Sequence, residues 1–223
     1  MEKSFFITGT DTGAGKTWST LALMHYFKQQ GLSVAGMKPV AAGCEWIDGQ
    51  LKNEDALLLQ QHSSVALAYE EVNPYAFEAP VSPHLAGVDN PVQLDVIVQA
   101  FDCLKNKADV VIVEGAGGWL APINNENDIA DLASVLNIPI VMVVAIRLGC
   151  INHARLTFQV IQASKVECAG WLAVCVDPEM KKQAENIEAI KARLAIPMLG
   201  VLPYVEKMDV NGMAKHIIGR KLI

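Results

Sequence analysis

The sequence predicts an α/β fold in which a mostly parallel β-sheet carries helices on both faces. Short runs of consecutive apolar residues alternate with longer segments of helical period, the pattern of strands buried on both sides. The first run leads straight into a glycine loop, "GTDTGAGKT", and that loop opens a helix, which makes the fold P-loop NTPase-like. No linker, internal repeat or low-complexity tract divides the 223 residues, so residues 1–223 are expected to form a single domain.

In chain order, "SFFIT" (Ser4 to Thr8) is the first predicted strand. After the loop, "KTWSTLALMHYFKQQG" places Leu21, Met24 and Phe27 at helical spacing, and Gly31 is well placed to stop the helix. "SVAGMK" (Ser33 to Lys38) is the next strand, and Glu54 to His62 a short helix. The region 42–91 is richer in Pro, Asn and Gly and less periodic, and is expected to elaborate the ligand edge of the sheet. A helix over Val92 to Lys105 precedes the strand "DVVIVE" (Asp109 to Glu114). Helices over Asp128 to Leu136, Asn152 to Ser164 and Pro178 to Leu194 alternate with "IPIVMVVA" (Ile138 to Ala145), "CAGWLAVCV" (Cys168 to Val176) and "PMLGVLP" (Pro197 to Pro203).

The glycine loop misses the common P-loop spacing by one residue. A strict G-x-x-x-x-G-K-[ST] pattern ending at Gly15, Lys16 and Thr17 needs glycine at position 10, where this chain has Thr10; the glycine stands at Gly9. The context still points to phosphate binding, because backbone N–H groups and a helix N-terminus follow a buried strand. Lys16 is then placed for terminal phosphates and the Thr17 hydroxyl for Mg²⁺. Such a cation needs oxygen ligands, and Glu114 ends a strand at the ligand edge. Asp55 begins a helix, where it is either a further ligand or a capping or first-turn acid. Lys38 ends the second strand at the same edge and could neutralise a developing phosphoryl or carboxyl charge. Gly149 breaks a strand and Asn152 can cap the helix after it, leaving backbone donors that suit a carboxylate.

Composition narrows the field. With 52% hydrophobic and 19% charged residues the chain has ample core and no disorder signature. A net charge of −6 with scattered Lys and Arg argues against nucleic-acid or anionic-membrane partners. No leader-like h-region or membrane-length apolar stretch stands out, so a soluble cytoplasmic protein is expected. Five cysteines without a C-x-x-C pair read as buried free thiols of a reducing compartment. Among His25, His62, His84, His153 and His216 no two have metal-pair spacing, and no hydrolytic triad is suggested.

Six ordered segments, "GTDTGAGKT", "GMKPVAAG", "NEDALLLQ", "NPYAFEAPVSPH", "VEGAGGWLAP" and "RLGCINHARLT", together resemble the dethiobiotin synthetase family over most of the chain. That family's phosphate loop has five residues between its glycines, which fits Gly9 to Gly15. The resemblance implies a homodimer that closes a cyclic urea from 7,8-diaminopelargonic acid, CO₂ and ATP with Mg²⁺. It implies that Thr12, Gly13, Ala14, Gly15, Lys16 and Thr17 hold the phosphates, that Thr17, Asp55 and Glu114 hold the metal, and that Lys38, Lys16 and Thr12 act in catalysis. Lys38 and Ala42 would face the substrate, with Gly149, Cys150 and Asn152 of the partner subunit at its carboxylate. The base would lie against Val174, Cys175, Pro203 and Tyr204. Two departures stand out: Ala42 falls where the family often has serine, and Val174 where it has an adenine-reading asparagine, whose bidentate amide valine lacks.

Two rival readings share the fold. Switch ATPases of cell division and partition carry a lysine where this chain has Asp11, and amide-forming synthetases usually carry a glutamine-hydrolysing domain for which this chain is too short.

Overall fold

The computed structural model describes residues 3–219 and Leu222, so the predicted unit 1–223 runs at both ends beyond the described residues. The elements are β1 (Lys3–Gly9), α1 (Lys16–Gln29), β2 (Val34–Met37), β3 (Val40–Ala42), β4 (Glu45–Ile47), β5 (Gln50–Lys52), α2 (Glu54–His62), α3 (Tyr69–Val72), β6 (Tyr75–Phe77), α4 (Pro83–Ala86), α5 (Leu94–Lys105), β7 (Val110–Glu114), α6 (Ile129–Leu136), β8 (Ile140–Ala145), α7 (Cys150–Ala163), β9 (Cys168–Val174), α8 (Gln183–Lys191), β10 (Met198–Leu202) and α9 (Val210–Ala214).

The six predicted strands form one sheet in the order β10-β9-β8-β1-β7-β2, and every neighbouring pair is parallel. Alternation along each strand sends side chains to two cores. Phe5, Ile7, Val110 and Ile112 pack with Leu21, Met24 and Phe27 of α1, whereas Phe6, Val111 and Val113 pack with Ile97, Leu132 and Phe158 of α5, α6 and α7. Both faces are therefore covered, which is why the strands read as unbroken apolar runs.

Gly31 ends α1 as predicted. At φ 80° it donates its N–H to the Lys28 carbonyl, and Leu32 donates to Phe27, a Schellman closure that favours glycine. Three other helices start two or more residues from the expected position. The last long helix contracts to α8 because Asp177 turns the chain, its carboxylate accepting from Glu179 N–H, and Lys182 at φ 61° precedes the first helical residue. Helix α5 starts at Leu94, after an extended Gln93. Helix α7 starts at Cys150 because Gly149, at φ 93°, takes the N-cap; Asn152 lies inside the first turn, exposed, and does not cap it.

The aperiodic region 42–91 holds small elements. β3 pairs with β6 in parallel, and β4 and β5 form a hairpin through Asp48 and Gly49, both at positive φ.

Candidate active site

Register alone brings the first functional side chains together. β1, β7 and β2 run parallel with Ile7 opposite Glu114 and Met37 opposite Val113, so Lys38, one residue past Met37, arrives beside Glu114. Its Nζ donates to Glu114 Oε1 at 2.6 Å and lies 3.4 Å from Asp55 Oδ2 and from the Gly115 carbonyl. The Thr17 hydroxyl donates to the same Glu114 oxygen at 3.0 Å. Thr17, Lys38, Asp55 and Glu114, which come from four separate segments of the chain, therefore form one cluster.

Electrostatics in the cluster follow from burial. Glu114 is fully buried and Lys38 nearly so. Burial by itself pulls the Lys38 ammonium down, but the charges of Glu114 and Asp55 and their hydrogen bonds outweigh it and hold the group above the ordinary lysine value. Lys16 is lowered to about 8, first by burial and then by the nearby Lys38, against the pull of Glu114, Asp55 and Asp11. Asp55 is a first-turn acid of α2 but not its cap: Asn53 Oδ1 takes that role by accepting from Ala56 N–H, which leaves the Asp55 carboxylate for Lys38.

The offset glycine has a packing reason. A Cβ at Gly9 would stand 3.1 Å from the Asp11 carbonyl and the Lys16 stem and 3.2 Å from Ala14 Cβ, so the loop folds back over this position. The Lys16 ammonium donates to the Asp11 carbonyl at 3.0 Å, and the extra residue, Thr10, is pinned to β8 by its N–H on the Val143 carbonyl. Gly13 and Gly15 adopt φ 70° and 86°. The Asp11 carboxylate accepts from Thr12 N–H and pairs with Arg147 of the β8–α7 loop.

A cavity of about 1090 Å³ opens along this edge. Thr12, Gly13, Gly15, Lys16 and Thr17 line its phosphate end, with Lys38, Ala42, Asp55 and Glu114 beside them. Val174, Cys175, Pro203 and Tyr204 line the same cavity. Ala14 is buried beneath the loop, and Gly149, Cys150 and Asn152 lie outside the cavity at the start of α7. Cys150 is buried, with its thiol toward Asn186 and its N–H on the Arg147 carbonyl.

Sequence reasoning missed several walls. Trp18 and Leu58 come from α1 and α2, Pro80 to Pro83 from the aperiodic region, and Glu206 and Met208 from the segment after β10. The run "APVSP" carried a signal in its turn residues, whereas Glu206 and Met208 have no pattern to betray them. All five cysteines are free thiols, but only three are buried; Cys168 is intermediate and Cys103, on the outer face of α5, is exposed, contrary to the expectation of a uniformly buried set.

The donor set fits a hard divalent cation. The Thr17 hydroxyl and two carboxylates converge, and Glu114 Oε2, buried, has no hydrogen-bond partner among the described residues. Too few protein ligands for a closed cage suit a cation that keeps waters and takes substrate phosphates.

A family model described as an AAA domain matches residues 3–211. The ATP-dependent dethiobiotin synthetase BioD of Xanthomonas oryzae pv. oryzae (strain PXO99A) is 49% identical over 216 residues, 96% of each chain. Those of Aromatoleum aromaticum and Tolumonas auensis are 46% and 43% identical, over 96% and 97% of each chain. Among solved structures, the MinC:MinD cell division complex of Aquifex aeolicus aligns with TM-score 0.60 at 16% identity, over 97% of this chain and 87% of that one. A ParA family ATPase from Chlorobium tepidum aligns with TM-score 0.59 at 12% identity, over 100% and 99%. These structures share the fold, while sequence identity over nearly the full length carries the closer kinship: the chain belongs to the family of ATP-dependent dethiobiotin synthetases.

Proposed function

We propose that this chain makes dethiobiotin from 7,8-diaminopelargonic acid, CO₂ and ATP, the penultimate step of biotin synthesis, as a cytoplasmic homodimer using Mg²⁺. The observation that supports it most is the buried contact of Lys38 with Glu114 at the mouth of the phosphate loop, 2.6 Å long and next to Thr17 and Asp55. A protein that only bound nucleotide would have no need of a buried lysine there.

One substrate amine attacks CO₂ and loses a proton, giving a carbamate. A carbamate oxygen then attacks the γ-phosphorus and ADP departs; the second amine attacks the carbamate carbon, phosphate leaves, and the urea ring closes. Phosphorylation turns a poor leaving oxygen into a good one, and catalysis is mainly positioning and charge neutralisation. Loop amides and Lys16 cradle the phosphates, with Thr12 on the γ side. Lys38 faces the carbamate and the transferring phosphoryl group. Thr17, Asp55 and Glu114 would hold Mg²⁺, which when bound offsets phosphate charge.

Gly149, Cys150 and Asn152 of the partner subunit receive the substrate carboxylate at a helix start. In support of a covered face there, Leu148 is 93% exposed and Leu156 of α7 also stands in the open. Incubation with diaminopelargonic acid, Mg-ATP and ¹⁴C-bicarbonate tests the reading: acid-stable label is expected, and none above a Lys16→Ala control would overturn it.

A further inference from the structure

Lys38 and Asp55 are joined twice. Directly, the ammonium lies 3.4 Å from the carboxylate. Indirectly, a buried chain of hydrogen bonds connects their backbones. The N–H of Asn53, the cap of the helix that carries Asp55, donates to the Tyr69 hydroxyl at 2.7 Å. That hydroxyl donates to Asn73 Oδ1 at 2.8 Å, and Asn73 Nδ2 donates to the Lys38 carbonyl at 2.6 Å. The Lys38 N–H is held as well, on the Val72 carbonyl at 2.8 Å.

Tyr69 and Asn73 are buried behind the cavity wall, which they reach only through their bonds to Asn53 and Lys38. Burial pushes the Tyr69 hydroxyl up to about 12, so it stays a neutral donor and acceptor at any working pH. Without its hydroxyl, Asn53 N–H and Asn73 Oδ1 each lose their partner, and the N-terminal end of α2 loses its hydrogen-bonded link to the strand end that bears Lys38, while Ser63 and Ser64 still tie the other end of the helix to β2.

We propose that Tyr69 and Asn73 are positioning residues for the reaction, a buried bridge that fixes the Lys38 ammonium against the Asp55 carboxylate by locking their backbones together. The inference rests on the reaction proposed above. The phosphate loop, which the bridge does not touch, would supply most of the grip on ATP, with Asp55 adding a smaller share through the metal, so losing the bridge is expected to affect turnover more than nucleotide binding.

The experiment compares steady-state synthesis and thermal melting of the wild type, Tyr69→Phe and Tyr75→Phe. Tyr75 is a matched control: it too is buried, and although its backbone adjoins Asn73 and Pro39, its hydroxyl accepts the Gln93 N–H at 3.0 Å and takes no part in the Asn53–Tyr69–Asn73 chain. Both variants are expected to melt lower by similar amounts. Tyr69→Phe is expected to lose about tenfold or more in kcat with KM for ATP within about threefold, while Tyr75→Phe keeps kcat within about twofold. Equal kcat values for the two variants, or a loss confined to KM, overturns the bridge. An inactive wild type removes the reaction assignment and the bridge with it. Should Tyr69→Phe not fold, Asn73→Asp, which keeps the acceptor for Tyr69 but not the donor to Lys38, is read by the same criteria; failure of both to fold overturns a positioning role.

Discussion

Val174 packs directly on Gly15: a Cβ built at that glycine would stand 2.7 Å from Val174 Cγ1. The last residue of β9 thus braces the phosphate loop, at the position where the family resemblance implies an adenine-reading amide. With a valine there, ATP is expected to be favoured over CTP and GTP by less than about a thousandfold in kcat/KM. Val174→Asn, which is no bulkier, should raise that preference by about tenfold to a hundredfold, the worth of a specific buried hydrogen-bonding pair. Equal selectivity in the two proteins would show that other groups read the base.

The Lys38–Glu114 pair should be costly to break and cheap to replace. Glu114→Ala leaves a buried ammonium short of its main partner and is expected to destabilise the protein by about 3–5 kcal/mol in denaturant unfolding. Lys38→Met combined with Glu114→Leu should recover most of that loss while synthesis stays abolished. A double variant no more stable than Glu114→Ala would refute the coupling.

Lys38→Ala alone should lower kcat by about a hundredfold or more, the scale of removing one preorganised charge-stabilising donor. Single-turnover mixing with preformed Mg-ATP locates the loss in the chemical step; an unchanged rate would take Lys38 out of the reaction.

Alkaline stability has a defined sign. Burial raises Cys168 from 9.0 to about 11 and Tyr69 from 10.0 to about 12, so the native state keeps protons that the unfolded chain releases. Stability from these groups is fully present below pH 9 and is lost as pH rises through about 11 and 12. Lys16, lowered to about 8, works in the opposite direction from about pH 8 to 10.5. Cys168→Ala should flatten the fall between pH 9 and 11 in urea midpoints; an unchanged slope would contradict the assignment. The same pattern of burial predicts that a thiol reagent at pH 8 modifies Cys103 rapidly, Cys168 more slowly, and Cys44, Cys150 and Cys175 only on unfolding, and that Cys103→Ser removes the fast phase.

Where burial is two-sided, the sequence was readable. The six strands of the sheet are six apolar runs, and Gly31 announced the end of α1 because only a left-handed residue closes that helix. Lys38, Glu114 and Asp55 could be assigned to one edge, but their contact depends on the β1–β7–β2 register, which no local pattern encodes. Tyr69 and Asn73 were invisible for a different reason: they sit in the aperiodic stretch, where hydrogen bonds rather than hydrophobic period set the conformation. Asn152 misled because an N-capping residue type followed a glycine that itself supplied the cap.

The four tryptophans divide the molecule optically. Trp119 and Trp171 are sealed in the core with indole N–H groups that meet no hydrogen-bond partner among the described residues, and Trp46 is 63% exposed on the hairpin. Trp18 alone of the four lines the cavity, next in sequence to Thr17. Core indoles emit blue and the hairpin indole red. Trp18, at the cavity wall beside the phosphate loop, is the indole placed to report a bound nucleotide, and Trp18→Phe is expected to remove most of any emission shift that ATP produces.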